Sequence, residues 1–109
     1  MTRIASLVAG AIALFALSGS AHAASFNCHG RISYTERAIC DNGDLSAADN
    51  QMASLYFSIY NNAGPGLRPA IQRQQIRWLG WRNRCGANVG CLRAAYNRRI
   101  QNLSEAGAY

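Results

Sequence analysis

Leu45-Ser46-Ala47-Ala48-Asp49-Asn50-Gln51-Met52-Ala53-Ser54-Leu55-Tyr56-Phe57-Ser58-Ile59 is the stretch that decides the fold class. Its apolar positions Leu45, Ala48, Met52, Leu55, Tyr56 and Ile59 recur at intervals of three and four. That spacing winds them onto one face of a 3.6-residue helix, whereas a half-buried strand would alternate at every second residue. It predicts a helix from about Leu45 to Asn61, with Asp44 or Ser46 as cap and a capping-box-like spacing from Ser46 to Asp49. Just upstream, Asp41-Asn42-Gly43-Asp44 reads as a turn. Before it, Glu36-Arg37-Ala38-Ile39-Cys40 reads as a short helix that Ser33 or Thr35 can cap.

Downstream, Gly64-Pro65-Gly66 closes the long helix, and Pro69 suits the first turn of the next, where its missing N–H costs nothing. Ile71, Gln75, Trp78, Arg82 and Cys85 then share one stripe, widened by Ile76, Leu79 and Trp81, and this helix is expected to reach Arg84. Gly86 and Gly90 frame the link Ala87-Asn88-Val89. A last helix carries Cys91, Leu92, Ala95, Tyr96, Ile100 and Leu103 at helical spacing, with a frayed tail from Ala106 to Tyr109. Short links make sequential helices antiparallel neighbours. The expectation is an all-α domain over residues 24–109: a small disulfide-stapled antiparallel three-helix arrangement with an additional short N-terminal helix.

The N-terminus has a different composition. Arg3 precedes an apolar run from Ile4 to Leu17, and Ala21-His22-Ala23 supplies a small-x-small site, so residues 1–23 are expected to be a signal peptide cleaved after Ala23. The run is shorter than the ~20 residues of a spanning helix. No cysteine directly follows the site, so no lipid anchor is expected. This order of positive charge, short apolar run and small-x-small site points to a periplasmic or secreted protein.

Cleavage leaves 86 residues, few for a core that stabilises a fold unaided. Four cysteines remain, Cys28, Cys40, Cys85 and Cys91, as expected for two disulfides in an exported chain. Three connectivities are open. The expected one is Cys28–Cys40 with Cys85–Cys91, each closing a short turn-containing segment; a crossed pairing would tie the N-terminal segment to a long helix. The spacing lacks the paired C-x2-4-C of zinc sites, and His29 is the only histidine after Ala23, so no metal is expected.

Every basic residue is an arginine, 11 in all against five acids, and loss of Arg3 leaves a net charge of +5. An exported surface of this sign suits an anionic envelope component. An enzyme has little to work with, since one histidine and five acids form no recognisable nucleophile-base set, and no cofactor is expected. Glu36 reads as a surface helical residue and Asp49 as support for a helix start, rather than as paired catalytic carboxylates. Trp78 with Arg82, and Tyr96 with Arg99, lie four and three residues apart and so neighbour one another. Two roles are open to them. Trp78 and Tyr96 can anchor the core while the arginines stack or pair with Glu36 or Asp49, or the aromatics and arginines can form a recognition patch. Trp81 lies off the main stripe and is the aromatic expected to be exposed, so candidate binding residues are Trp81, Arg82, Arg84, Arg98 and Arg99. Neither nucleic acid nor stable membrane insertion is expected.

Taken together, Cys28, Glu36-Arg37-Ala38-Ile39-Cys40, Leu45, Asp49, Tyr56, Gln75-Ile76-Arg77-Trp78-Leu79, Arg82, Cys85, Cys91-Leu92, Tyr96 and Arg99-Ile100 resemble the lysozyme inhibitor LprI-like family over nearly the whole mature chain. These are small exported bacterial proteins, named from a lipoprotein member reported to inhibit lysozyme. The resemblance implies a non-catalytic protein that occludes the cleft of lysozyme or another wall-active protein. This chain departs from the pattern in lacking a lipobox, in having Ala48 where Leu is common, and in having Asn83 where Asp often follows the arginine. Lysozymes of the animal type are themselves basic, which opposes encounter with a +5 partner. Asp41 and Asp44 are the acids expected to offer a complementary patch. The other expectation is an arginine-rich envelope-binding or scaffolding module.

Overall fold

The computed structural model describes residues 24–107. The expected leader and its cleavage site lie outside these residues, as do Ala108 and Tyr109. The described chain is all-helical: α1 Tyr34–Asp41, α2 Gly43–Asn62, α3 Arg68–Asn83 and α4 Val89–Gly107.

Three of the four helix starts have a local cause. Ser33 Oγ accepts from the Glu36 N–H at 3.1 Å while Glu36 Oε1 accepts from the Ser33 N–H at 2.9 Å, a complete capping box on α1. Pro69 occupies the first turn of α3. Asn88 Oδ1 accepts from the Cys91 N–H at 2.9 Å and so caps α4. The start of α2 departs from expectation. The predicted turn shrinks to Asn42, which ends α1 and begins α2, with no side-chain cap on α2. Ser46 is buried and donates instead to Ile39 O at 2.8 Å, so neither it nor Asp49 forms a capping box. Gly86 is the one residue among those described with positive φ, +58°, which lets the chain reverse between α3 and α4. Gly90, expected in that link, lies inside α4, and α4 continues through Gly107.

The packing order follows from side-chain partners. Gln75 meets Met52 and Arg82 meets Asp49, so α3 runs antiparallel to α2. Gln75 also meets Arg99, and Arg82 meets Tyr96, so α4 runs antiparallel to α3. Consequently α2 and α4 are parallel, with Asp44 beside Arg93, Asp49 beside Tyr96 and Ile59 beside Gly107. This parallel pair makes the most extensive helix interface. Ile39, Leu45, Met52, Tyr56, Leu92, Tyr96 and Leu103 form the core. Each contributes about 1.5–3 kcal/mol by burial.

Two disulfides join Cys28 to Cys40 and Cys85 to Cys91, with Cα separations of 5.9 and 5.5 Å. They belong to an oxidising compartment rather than the cytoplasm. No helix among the described residues is long and apolar enough to cross a membrane.

Candidate functional site

Two opposite charges occupy the inward stripes of α2 and α3. Asp49 lies one turn after Leu45 and just before Met52, a position that carries it into the core, where it is 1% exposed. Its Oδ1 accepts from the Tyr96 hydroxyl at 2.7 Å, and its Oδ2 accepts from the Ser25 N–H at 2.7 Å and from the Ser25 hydroxyl. Arg82 follows the stripe of Ile71, Gln75 and Trp78 and is 5% exposed. Its Nη1 donates to Tyr96 Oη at 3.3 Å and stands 3.9 Å from Asp49 Oδ1, while Nε and Nη2 converge on Asn83 Oδ1 at 3.1 and 2.9 Å. Burial, reinforced by the Asp49 carboxylate, pushes the Tyr96 phenol far above its usual range. Tyr96 is therefore a neutral donor at any physiological pH.

Trp78 closes this network from the side. It meets Tyr96 edge-on at 5.2 Å between ring centroids, and the guanidinium carbons of Arg82 and Arg99 lie 5.9 and 5.8 Å from its ring centre. Arg99 Nη2 donates to Gln75 Oε1 at 2.7 Å, and burial lowers its pKa. Trp78 and Tyr96 are thus core anchors.

Three expectations are overturned by this geometry. Arg82 is not a surface binding residue, because its charge is held inside against Asp49, Tyr96 and Asn83. Arg99 is half-buried and committed to Gln75 and Trp78. Asp49 likewise supports no helix start; it is the acceptor on which the N-terminal segment, α2, α3 and α4 converge. Sequence reasoning gave Asp49 to a helix start, because acids are rarely buried unpaired, and named it with Glu36 as a possible partner of the arginines. The available signal was its register with Leu45, Met52 and Tyr56, matched by Arg82 on the facing stripe.

What stays outside is a smaller aromatic-arginine face. Trp81 is 64% exposed, and the Arg84 guanidinium lies 5.7 Å from its ring centre. Between α3 and α4, Trp78, Trp81, the Cys85–Cys91 bridge, Ala94, Ala95 and Arg98 enclose a pocket of about 230 Å³. The bridge and the alanines keep its floor shallow and apolar. Among the described residues only Arg82 and Arg93 pair with a carboxylate, so Arg98 in the pocket wall and Arg84 beside Trp81 present uncompensated charge.

A larger cleft, about 510 Å³, lies over the buried network and includes Phe26, Glu36, Met52, Phe57, Leu79 and Asn83 in its walls. Its acids are already engaged, Asp49 as described and Glu36 in the capping box. Asp44, expected to help form an acidic patch, is bound by Arg93 at 2.6 and 2.9 Å, and this hydrogen bonding holds its carboxyl below the usual range.

No protein-family model, curated protein or solved structure matches the chain.

His29 is exposed and its backbone N–H is turned onto Asn27 Oδ1 at 2.9 Å. Among the described residues no three His, Cys, Asp or Glu side chains gather as metal ligands would.

Proposed function

We propose that this chain is an exported, non-catalytic binding protein, released by cleavage after Ala23, which like the LprI-like proteins it resembles occludes the cleft of a wall-active enzyme such as lysozyme. The observation that carries this reading is an apolar pocket walled by the exposed Trp81 and by Arg98, with Arg84 against the Trp81 ring, on a frame stapled at that point by Cys85–Cys91. Glycoside hydrolases flank the scissile bond with two carboxylates. A tryptophan offers a flat apolar face of the kind a sugar ring presents, and two arginines offer charge to the carboxylates. The match is local, so it operates despite overall like charge, which slows encounter. The acids and the one histidine that follows Ala23 support the non-catalytic part of the reading, because the acids nearest the cleft are consumed in structural bonds.

The test is a titration of the oxidised mature protein into a lysozyme cell-wall lysis assay at physiological salt, beside Trp81→Ala and Arg98→Glu variants. Saturable inhibition in the parent, weakened at least tenfold in each variant with unchanged thermal stability, is the expected result. Inhibition equal in all three proteins removes this face as the site. No inhibition against several lysozyme classes overturns the reading. The uncompensated arginines favour a second reading, an anionic envelope component as partner, for which binding would fall steeply with salt and depend little on Trp81.

A further inference from the structure

The buried carboxylate of Asp49 faces the point at which the mature chain would begin. Ser25 gives Asp49 Oδ2 both its backbone N–H, at 2.7 Å, and its hydroxyl. Ala24, the preceding residue, is buried and packs in the core cluster. Successive backbone nitrogens lie within about 3.7 Å of each other, so the Ala24 nitrogen lies no more than about 6.5 Å from that oxygen. The other oxygen, Oδ1, is already taken by Tyr96, with Arg82 3.9 Å away.

We propose that removal of the leader supplies the last member of this network: the α-ammonium of Ala24, created by cleavage after Ala23, docks on the Oδ2 side of Asp49 and locks the N-terminal segment onto the helices. Hydrolysis of the Ala23–Ala24 bond takes up one water, leaves the new carboxyl on the leader and the amine on Ala24, and the amine takes a proton at neutral pH. The inference rests on the export reading above. Before cleavage the same nitrogen is an uncharged amide carrying a 23-residue extension, so the precursor lacks this ion pair.

An opposite charge within ~4–6 Å favours the charged form of an amine. The groups facing this one are Asp49 from α2, Arg82 from α3, Tyr96 from α4 and Glu36 from α1, which shares the cleft wall with Ser25. Tyr96 is neutral and Glu36 is held by Ser33. Arg82 opposes the docking, but from the Oδ1 side. A raised amine pKa contributes stability that is present below the ordinary range of about 7.7–8.0 and is lost as pH rises through the folded value.

The sequence makes the test specific, because all 11 basic side chains are arginines and the α-amine is the only primary amine of the mature protein. The precursor is expressed with its own leader, the exported product is purified oxidised, and intact mass identifies its first residue. One portion is acetylated under denaturing conditions, which removes the charge. A second is reductively dimethylated, which keeps it, and both are refolded with disulfides intact. Acetylation is expected to lower the thermal midpoint at pH 7 by about 4–8 °C, the shift of a ~1 kcal/mol loss in a domain this size. Dimethylation is expected to lower it less, and the gap is expected to close by pH 10. The native amine is expected to react at least tenfold more slowly with acetylating reagent than the urea-unfolded amine. A chain that keeps its leader overturns the export reading and the docking together, and a cleaved chain with a first residue other than Ala24 overturns the docking. An Ala24 terminus whose acetylation leaves the midpoint unchanged, or whose amine reacts as fast folded as unfolded, overturns the docking alone.

Discussion

At Asp49 the register and the chemistry of the side chain point in opposite directions, and register wins. A carboxylate enters the core only when its hydrogen-bonding capacity is filled, which here takes Ser25 from the N-terminal segment and Tyr96 from α4, with Arg82 supplying charge from α3. The inward position was legible from the spacing to Leu45 and Met52, and Arg82 was among the arginines open to pair with Asp49; Ser25 and Tyr96 were not legible as partners, because they lie 24 and 47 residues away. Replacing Asp49 with Ala leaves buried donors without an acceptor and is expected to cost about 3–5 kcal/mol in urea denaturation. Tyr96→Phe removes one hydroxyl from the same network and is expected to cost about 1–3 kcal/mol. A loss below 0.5 kcal/mol in either would mean that water or a neighbouring group replaces the missing partner. Trp81→Ala, by contrast, is expected to stay within about 0.5 kcal/mol, since that ring is mostly in solvent.

Among the helices, caps and cross-links decide how firmly each element is held. The cap on α1 was legible as Ser33 or Thr35 because it is local; the returning bond from Glu36, which makes it a box with Ser33, was not read. The start of α2 was not, because Ser46 finds a carbonyl in the preceding helix that no short-range pattern reveals. Ser33→Ala is expected to destabilise the protein by about 1 kcal/mol, checked by urea unfolding. Only Arg82 is buried on α3, while Ile76, read as widening its apolar stripe, lies outside, as does Trp81, the aromatic expected to be exposed. The junction of α3 with α4 therefore leans on the Cys85–Cys91 bridge. Replacing both cysteines with serine is expected to remove up to about 3 kcal/mol on the chain-entropy model. An unchanged thermal midpoint would show that the six-residue closure adds nothing to the folded state.

For the whole molecule, the order of helices followed from short links, and the parallel α2–α4 pair is the consequence of two reversals. Its phenols also set an alkaline limit. Burial raises Tyr96 and Tyr56 above the ordinary value of ~10. Above that pH the unfolded chain releases protons that the folded chain keeps, so stability is intact below about pH 10 and declines as pH rises toward the folded values. Thermal midpoints measured from pH 8 to 11 are expected to fall over the last unit, and Tyr96→Phe is expected to flatten that slope.

Both disulfides close loops local in sequence, 12 and 6 residues apart, and neither ties one long helix of the α2–α4 pair to the other. Pulled from its two ends, the oxidised protein should therefore pay out almost its entire contour, shear α2 from α4 first, and stop only about 50 Å short of the fully reduced chain. The bridges act as two small knots on a cord, and mechanical resistance resides in the noncovalent seam between the parallel helices.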